Sequence, residues 1–206
     1  MDASLAEQQR VLASDWGGGK SPFGTSWSKF MMWIFIISDA LTFAGFLIAY
    51  GFMRMIAPAW PKQTEVFSMP LITFMTFALI SSSAVMAMGV GAARAGDPKK
   101  AVEFLTLTII GGTIFLGCQA YEWSHFIHEG ATLTSNPWGV AQFAASFFVI
   151  TGFHGFHVFS GVTILVIVAL RAAMGKYSAD GVENAGLYWH FVDVVWVFVF
   201  AFYYLL

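Results

Sequence analysis

The stretch YWHFVDVVWVFVF, residues 188–200, decides the fold class because it combines a continuous apolar run with two ionisable side chains. Eleven of its thirteen residues are aromatic or valine, and the other two are His190 and Asp193. A hydrocarbon core about 30 Å thick requires about 20 mostly apolar residues in a helix, a length that the surrounding run 185–206 provides. His190 and Asp193 lie three residues apart and therefore share a helical face. The stretch predicts a membrane-spanning helix whose polar face packs against protein.

The composition of the whole chain is that of a membrane protein. Of its 206 residues, 58% are hydrophobic and only 11% are charged, and the mean hydropathy is +0.70. A net charge of −2 offers no basic patch for nucleic acid, so we exclude that class of partner. The single cysteine, Cys118, allows neither an intramolecular disulfide nor a Cys-based metal site. The sequence motifs of soluble nucleotide-binding enzymes and hydrolases are absent.

Five apolar runs are long enough to span a bilayer. Helices are the form we expect for them, because backbone groups that face lipid must be satisfied within the segment. The sequence therefore predicts an all-α, polytopic bundle of five transmembrane helices in residues 29–206, preceded by a polar, glycine-rich arm in residues 1–28 without the features of a cleaved signal peptide. The predicted spans are 30–53, 70–93, 104–126, 139–170 and 185–206.

Lysine and arginine are distributed unequally between the two ends of these spans. Eight lie in the arm, at the start of the first span and in the second and fourth connections, whereas only Arg54 and Lys62 lie on the other side. The positive-inside rule then predicts a cytoplasmic amino terminus and a carboxyl terminus outside.

Ionisable residues within spans are costly, by about 2.5–3.5 kcal/mol on insertion scales, and are therefore candidates for function. At about 1.5 Å of rise per residue, the candidates fall into two groups. Four lie near mid-depth and require protein or water as partners: Asp39, His154, His157 and Asp193. Three lie nearer the ends, Glu122 and His125 at the outer end of the third span and Glu183 at the inner end of the fifth.

Three pairs at i,i+3 spacing, on three different spans, predict a polar seam between helices. The pairs are Glu122/His125, His154/His157 and His190/Asp193. The ordinary interpretation is hydrogen-bonded packing that fixes helix register, and a haem held by His190 with either His154 or His157 stays open as an alternative. Glycines 45, 152, 155 and 161 are predicted to mark faces where a helix backbone or a lipid chain approaches closely.

Four segments resemble subunit III of the haem-copper oxygen reductases, the family of cytochrome c oxidase and its quinol-oxidising relatives. They are IISDALTFAGF (36–46), GCQAYEW (117–123), FFVITGFHGFHVFSGV (147–162) and ENAGLYWHFVDVVWVFVF (183–200), in the family's order and spacing. The resemblance covers residues 33–206, about 85% of the chain, and is closest to the bacterial five-span type.

The resemblance implies a subunit without its own haem or copper, since these lie in partner subunits. It implies contact with the catalytic subunit I, with subunit II and with a small subunit IV, a place in a respiratory supercomplex, phospholipid bound in an interhelical cleft, support of proton uptake and a bacterial inner-membrane location. Asp39 stands where the family usually has a membrane-embedded Glu. The residues that match the family's typical positions are Glu122, His154, His157, Glu183, Trp189, His190 and Asp193.

We therefore expect His154, His157, Glu183 and Asp193 to tie the fourth and fifth spans together and to shape the lipid cleft, with Asp39 as a protonatable group. Three other functions stay open: an accessory protein of nitric oxide reductase, a small transporter built around the mid-membrane carboxylate, and a membrane cytochrome. The lack of internal repeats argues against the transporter.

Overall fold

The computed structural model describes residues 24–135, 137–176 and 178–206, and its long elements are five helices. They are α1 (Trp27–Ile56), α2 (Met69–Arg94), α3 (Pro98–His128), α4 (Ala141–Ala173) and α5 (Ala179–Val199), the last continuing as a π-helical turn, Phe200–Leu205. A four-residue helix, Gln63–Val66, lies between α1 and α2. No strand occurs in the described ranges. All five helices are long and apolar enough to cross a membrane, which confirms the predicted all-α five-span bundle.

Polar caps extend α1, α3 and α5 beyond the amino-terminal ends of their predicted spans. Asp97 caps α3, accepting from the backbone N of Lys100 at 3.1 Å, and Pro98 occupies the first turn. The helix therefore starts six residues before the predicted run at 104. Ser26 caps α1 in the same way, so α1 begins within the predicted arm, most of which, residues 1–23, lies outside the described part of the chain.

Two hairpin connections depend on glycine. Gly96 and Gly175 follow the last residues of α2 and α4 with φ angles of +74° and +75°. This left-handed conformation is strained for residues with a Cβ and is a common way to end a helix. It lets α2 and α3, and likewise α4 and α5, reverse direction within a few residues.

Helix α5 lies at the centre of the bundle. It packs against α1, α2 and α4, while α3 packs between α2 and α4. In the most apolar window of each span, 56% of the residues are buried in α5 but only 11% in α1. Helix α1 contacts mainly α4 and α5. α1 is therefore the peripheral helix, and its attachment to the bundle depends on its contacts with α4 and α5.

Glycines let large side chains approach the backbone of neighbouring helices. The Trp189 indole of α5 lies against Gly161, where an added Cβ would stand 2.9 Å from a ring carbon. Gly152 receives Trp123 and Gly155 receives Gln119, both from α3, so the predicted contact role of these three glycines is confirmed. Gly45 has no neighbour within 4 Å of an added Cβ among the described residues, so no helix of the bundle uses it as a close contact.

The π-helical turn closes the end of the bundle that is opposite the start of α5. Its wider turn directs two consecutive residues, Tyr203 and Tyr204, into the interior, where both are fully buried. Phe67, from the connection before α2, packs against both rings with centroid separations of 6.0 and 4.7 Å. An aromatic cluster therefore fills the space where α5 ends.

Candidate functional site

A buried pair of ionisable side chains links α1 to α4. Asp39 Oδ2 lies 3.2 Å from His157 Nε2, and the two side chains are only 11% and 7% exposed. Oδ2 has no other hydrogen-bond partner among the described residues. Both groups lie near the middle of long apolar helices, where lipid offers no hydrogen-bond partner. Each group therefore serves as the partner of the other.

The hydrogen bonds of His157 limit the positions that a proton can take between His157 and Asp39. Nδ1 is 2.8 Å from the carbonyl oxygen of Phe153 one turn earlier, so we assign the Nδ1–H as the donor to that carbonyl. Nε2 then either carries a second proton, as an imidazolium beside the Asp39 carboxylate, or accepts one from the Asp39 carboxylic acid. The pair can therefore hold one proton between the two groups without breaking the contact.

His154 occupies the core without polar partners. Its side chain is fully buried, and neither ring nitrogen has a hydrogen-bond partner in the described part of the chain. The ring lies against Trp196 at 5.0 Å between centroids and against Phe115 at 5.6 Å. This imidazole is enclosed by aromatic rings, and its position is that of a packing residue.

Glu183 joins three helices at the end of the bundle where α1 and α5 begin. Its Oε1 accepts from Arg94 of α2 at 2.7 Å and also from Lys29 of α1. The neighbouring Asn184 donates to Ser28 of α1 at 3.0 Å. Side chains 16% to 63% exposed form these ion pairs, so they lie at the membrane surface, as expected from the position of Glu183 in the sequence.

A row of hydroxyl groups on α2 receives the polar atoms of α5. Trp189 Nε1 donates to Ser82 at 3.1 Å, and Nδ1 of His190 lies 2.7 Å from the Ser83 hydroxyl. Two turns further along α5, Trp196 donates to Thr76 at 2.9 Å. Asp193 is buried on the same side of α5, with Oδ1 unpartnered among the described residues. These bonds fix the register of α2 against α5.

Glu122 lies in the carboxyl-terminal half of α3 and is 4% exposed. Tyr204 donates its hydroxyl to Oε2 at 3.1 Å, while Oε1 has no partner within the described ranges. His125, one turn further, instead reaches Glu129 at 3.3 Å on the exposed side. A buried carboxyl with one fixed donor therefore connects α3 to the end of α5.

The predicted side chains form contacts between helices, but in other combinations than expected. No hydrogen bond or ion pair joins the two members of any of the three i,i+3 pairs among the described residues. Both histidines of α4 contact α5, because the His154 ring lies against Trp196 and the Tyr188 hydroxyl donates to the His157 carbonyl at 3.3 Å. His157 also joins α4 to α1 through Asp39, whereas Glu183 joins α5 to α1 and α2 rather than to α4.

Sequence reasoning missed the partners of these residues. Ser82, Ser83 and Thr76 are uncharged and lie in an apolar run, so no insertion penalty draws attention to them. Their spacing was nevertheless a usable signal, because Thr76 and Ser83 are seven residues apart and share one helical face.

An apolar cleft runs between α1 and α5, which we call the α1–α5 cleft. Its volume is about 630 Å³, and it is lined from α1 by Ile36, Ala40 and Leu47 and from α5 by Phe191, Val195 and Phe198. It lies beside the Asp39–His157 pair because Phe43, which also lines it, contacts the His157 ring at 5.4 Å. No group of three metal-ligating side chains occurs among the described residues.

The chain is similar to known subunits of respiratory oxidases. A family profile described as cytochrome c oxidase subunit III matches residues 10–206. Cytochrome c oxidase subunit 3 of Synechocystis sp. is 40% identical over 84% of this chain and 73% of its own length, and that of Thermostichus vulcanus is 37% identical over 84% of each. The probable quinol oxidase subunit 3 of Staphylococcus saprophyticus is 34% identical over 69% of this chain and 70% of its own length.

Proposed function

Because this chain belongs to the cytochrome c oxidase subunit III family, we propose that it is a non-redox accessory subunit of a proton-pumping haem-copper terminal oxidase. In this role it packs against the catalytic subunit I, within a complex that also contains subunit II and a small subunit IV. Haem and copper belong to the partner subunits. Its contribution to aerobic respiration is to stabilise subunit I and to support proton uptake.

The observation that carries this proposal is the Asp39–His157 pair. A mid-membrane carboxyl 3.2 Å from an imidazole is a group that can take up and release a proton while its helix stays in place. Asp is one methylene shorter than the Glu that the family usually has at this position, yet Asp39 still reaches the imidazole. Proton binding and the attachment of α1 therefore depend on the same contact.

Lipid binding is the second part of the proposal. The α1–α5 cleft is apolar along its length and opens to the side of the bundle, so it suits acyl chains. Lys29 and Arg94 lie at the inner end of α1 and α2, where a phospholipid headgroup would lie. A bound phospholipid would fill the cleft and hold the peripheral α1 against α5.

The distribution of lysine and arginine supports a proposal for the membrane location and orientation of the chain. We assign the chain to a bacterial cytoplasmic membrane, with the amino terminus in the cytoplasm and the carboxyl terminus outside. One end of the bundle carries Lys29, Arg94 and Lys176, and the other carries Arg54 and Lys62. The first group is larger, since it includes further residues of the arm and connections, and the positive-inside rule places it on the cytoplasmic side.

A tagged version of the chain, purified in mild detergent, tests the proposal directly. We expect haem-containing subunits to co-purify with a visible absorption spectrum, and the chain separated from them to be colourless. A chain that purifies alone would contradict the assignment. A coloured isolated chain would show instead that its histidines are haem ligands.

Asp39→Asn tests the proton-related part within the same complex. The amide can still donate to His157 Nε2, so α1 should stay attached and the haem content should be unchanged, but the position can no longer exchange a proton. We expect slower oxygen consumption or faster loss of activity during turnover. Ser38→Ala, which removes an exposed hydroxyl bonded only within its own helix, is the matched control and should behave like the unmodified chain.

A further inference from the structure

The Nε2 atom of His190, near mid-depth on the surface of the bundle, has no hydrogen-bond partner among the described residues. His190 is the twelfth residue of α5, roughly 16 Å along the helix from its first residue. Its Nδ1 bonds to Ser83 at 2.7 Å, and no described residue bonds to Nε2. The ring is only partly buried, so Nε2 lies at the surface of the bundle, where hydrocarbon would offer neither donor nor acceptor.

Other polar groups on the outer surface of the helices do not have this problem. Thr106, Thr113 and Thr163 are exposed, and each donates its hydroxyl to the carbonyl one turn earlier in its own helix, at 2.8–2.9 Å. These residues can face lipid because their hydrogen bonds are satisfied internally. An imidazole cannot satisfy both nitrogens in this way here, since one is committed to Ser83.

The surface around His190 is formed by partly buried and exposed residues of α2 and α5, and we call it the α2–α5 face. Helical spacing places its residues on adjoining faces of the two helices: Ile80, Ala84 and Ala87 on α2, and Leu187, His190 and Val197 on α5. Ile80 and Val197 are 44% and 42% exposed. Ala84 follows Ser83 directly, so a small side chain lies next to the imidazole.

These features fit a helix better than a lipid chain. Small residues beside a polar group allow two helix backbones to approach closely enough for an interhelical hydrogen bond. The face is not covered by α1, which packs mainly on α4 and α5. An acyl chain could cover the alanines but would leave Nε2 unsatisfied.

We infer that the α2–α5 face is the docking surface for a transmembrane helix of another subunit, which presents a hydrogen-bonding side chain or a free carbonyl to His190 Nε2. The inference rests on the proposed function, because the partner is another subunit of the same oxidase complex. It identifies the face of this chain that makes the contact, and it names His190 Nε2 as the atom that sets the depth of the partner helix in the membrane.

Photocrosslinking in native membranes tests the assignment of the face. A benzophenone-bearing phenylalanine is placed at Ile80 on the α2–α5 face or at Phe159, a 61% exposed residue near the middle of α4. We expect adducts from position 80 to a transmembrane peptide of a haem-containing subunit, and lipid adducts from position 159. If haem subunits co-purify while position 80 gives only lipid adducts, the inference fails and the proposed function stands. If no haem subunit co-purifies, both fail.

Substitutions test the role of the imidazole. His190→Leu should weaken retention of the haem subunits about three- to tenfold, as expected for the loss of one interhelical hydrogen bond in a membrane, whereas His190→Gln should preserve most of it. Thr163→Val, the matched polar-to-apolar change on a satisfied surface group, should have no effect. If Ser83→Ala weakens retention as much as His190→Leu, the histidine acts only through the α2–α5 packing and the inference is overturned.

Discussion

Replacing Gly112 with alanine should destabilise the bundle, although alanine is the better helix former. An added Cβ at Gly112 would overlap the Trp189 indole and would stand 2.8 Å from Cγ2 of Val162. The indole cannot move aside easily, because it is fully buried and its Nε1 donates to Ser82 at 3.1 Å. Overpacking of this kind costs about 1–3 kcal/mol.

Gly117→Ala in the same helix is the matched control, because an added Cβ there meets nothing within 4 Å. Both substitutions gain the same helix propensity, about 0.8–1 kcal/mol, so the difference between them isolates the overpacking. We expect Gly112→Ala to be less stable than Gly117→Ala by about 1–3 kcal/mol in SDS-induced unfolding of the purified protein. Equal stability of the two variants would refute the reasoning that α3 and α5 are in rigid contact at Trp189.

Three further changes follow from single contacts. Thr76→Val leaves the buried Trp196 Nε1 without its acceptor and should cost about 1–3 kcal/mol in unfolding free energy, while Thr76→Ser should retain most of the stability. Tyr204→Phe removes the one hydrogen-bond donor that Glu122 has within the described ranges and should lower the thermal midpoint, whereas Tyr121→Phe, at a 65% exposed position, should not. Glu183→Gln weakens the link to Lys29 and Arg94 and should speed hydrogen exchange in the first turns of α1; Glu65→Gln, which alters an exposed pair, should leave that rate unchanged.

The fold could be predicted from hydropathy because the bilayer imposes one solution on each apolar run. The ionisable candidates could be predicted for a related reason: Asp39, His157 and Glu183 are conspicuous in apolar surroundings, and the structure gives each of them a partner on another helix. Which helix supplies the partner could not be predicted. The imidazole of His157 pairs with Asp39 of the first span while its backbone carbonyl accepts from Tyr188 of the fifth, and this combination depends on how the helices are arranged around α5.

The sequence by itself determined that the chain forms five membrane-spanning helices, which residues are too polar to face lipid, and which family it belongs to. These properties depend on local composition and on motifs that lie within single helices. The tertiary structure alone decided that α5 is central, that Ser82 and Ser83 receive Trp189 and His190, and that a π-helical turn buries two consecutive tyrosines. The physical reason is that a hydrogen bond or a close contact between helices depends on rotation and depth, which are set by packing of all five helices together and not by any one of them.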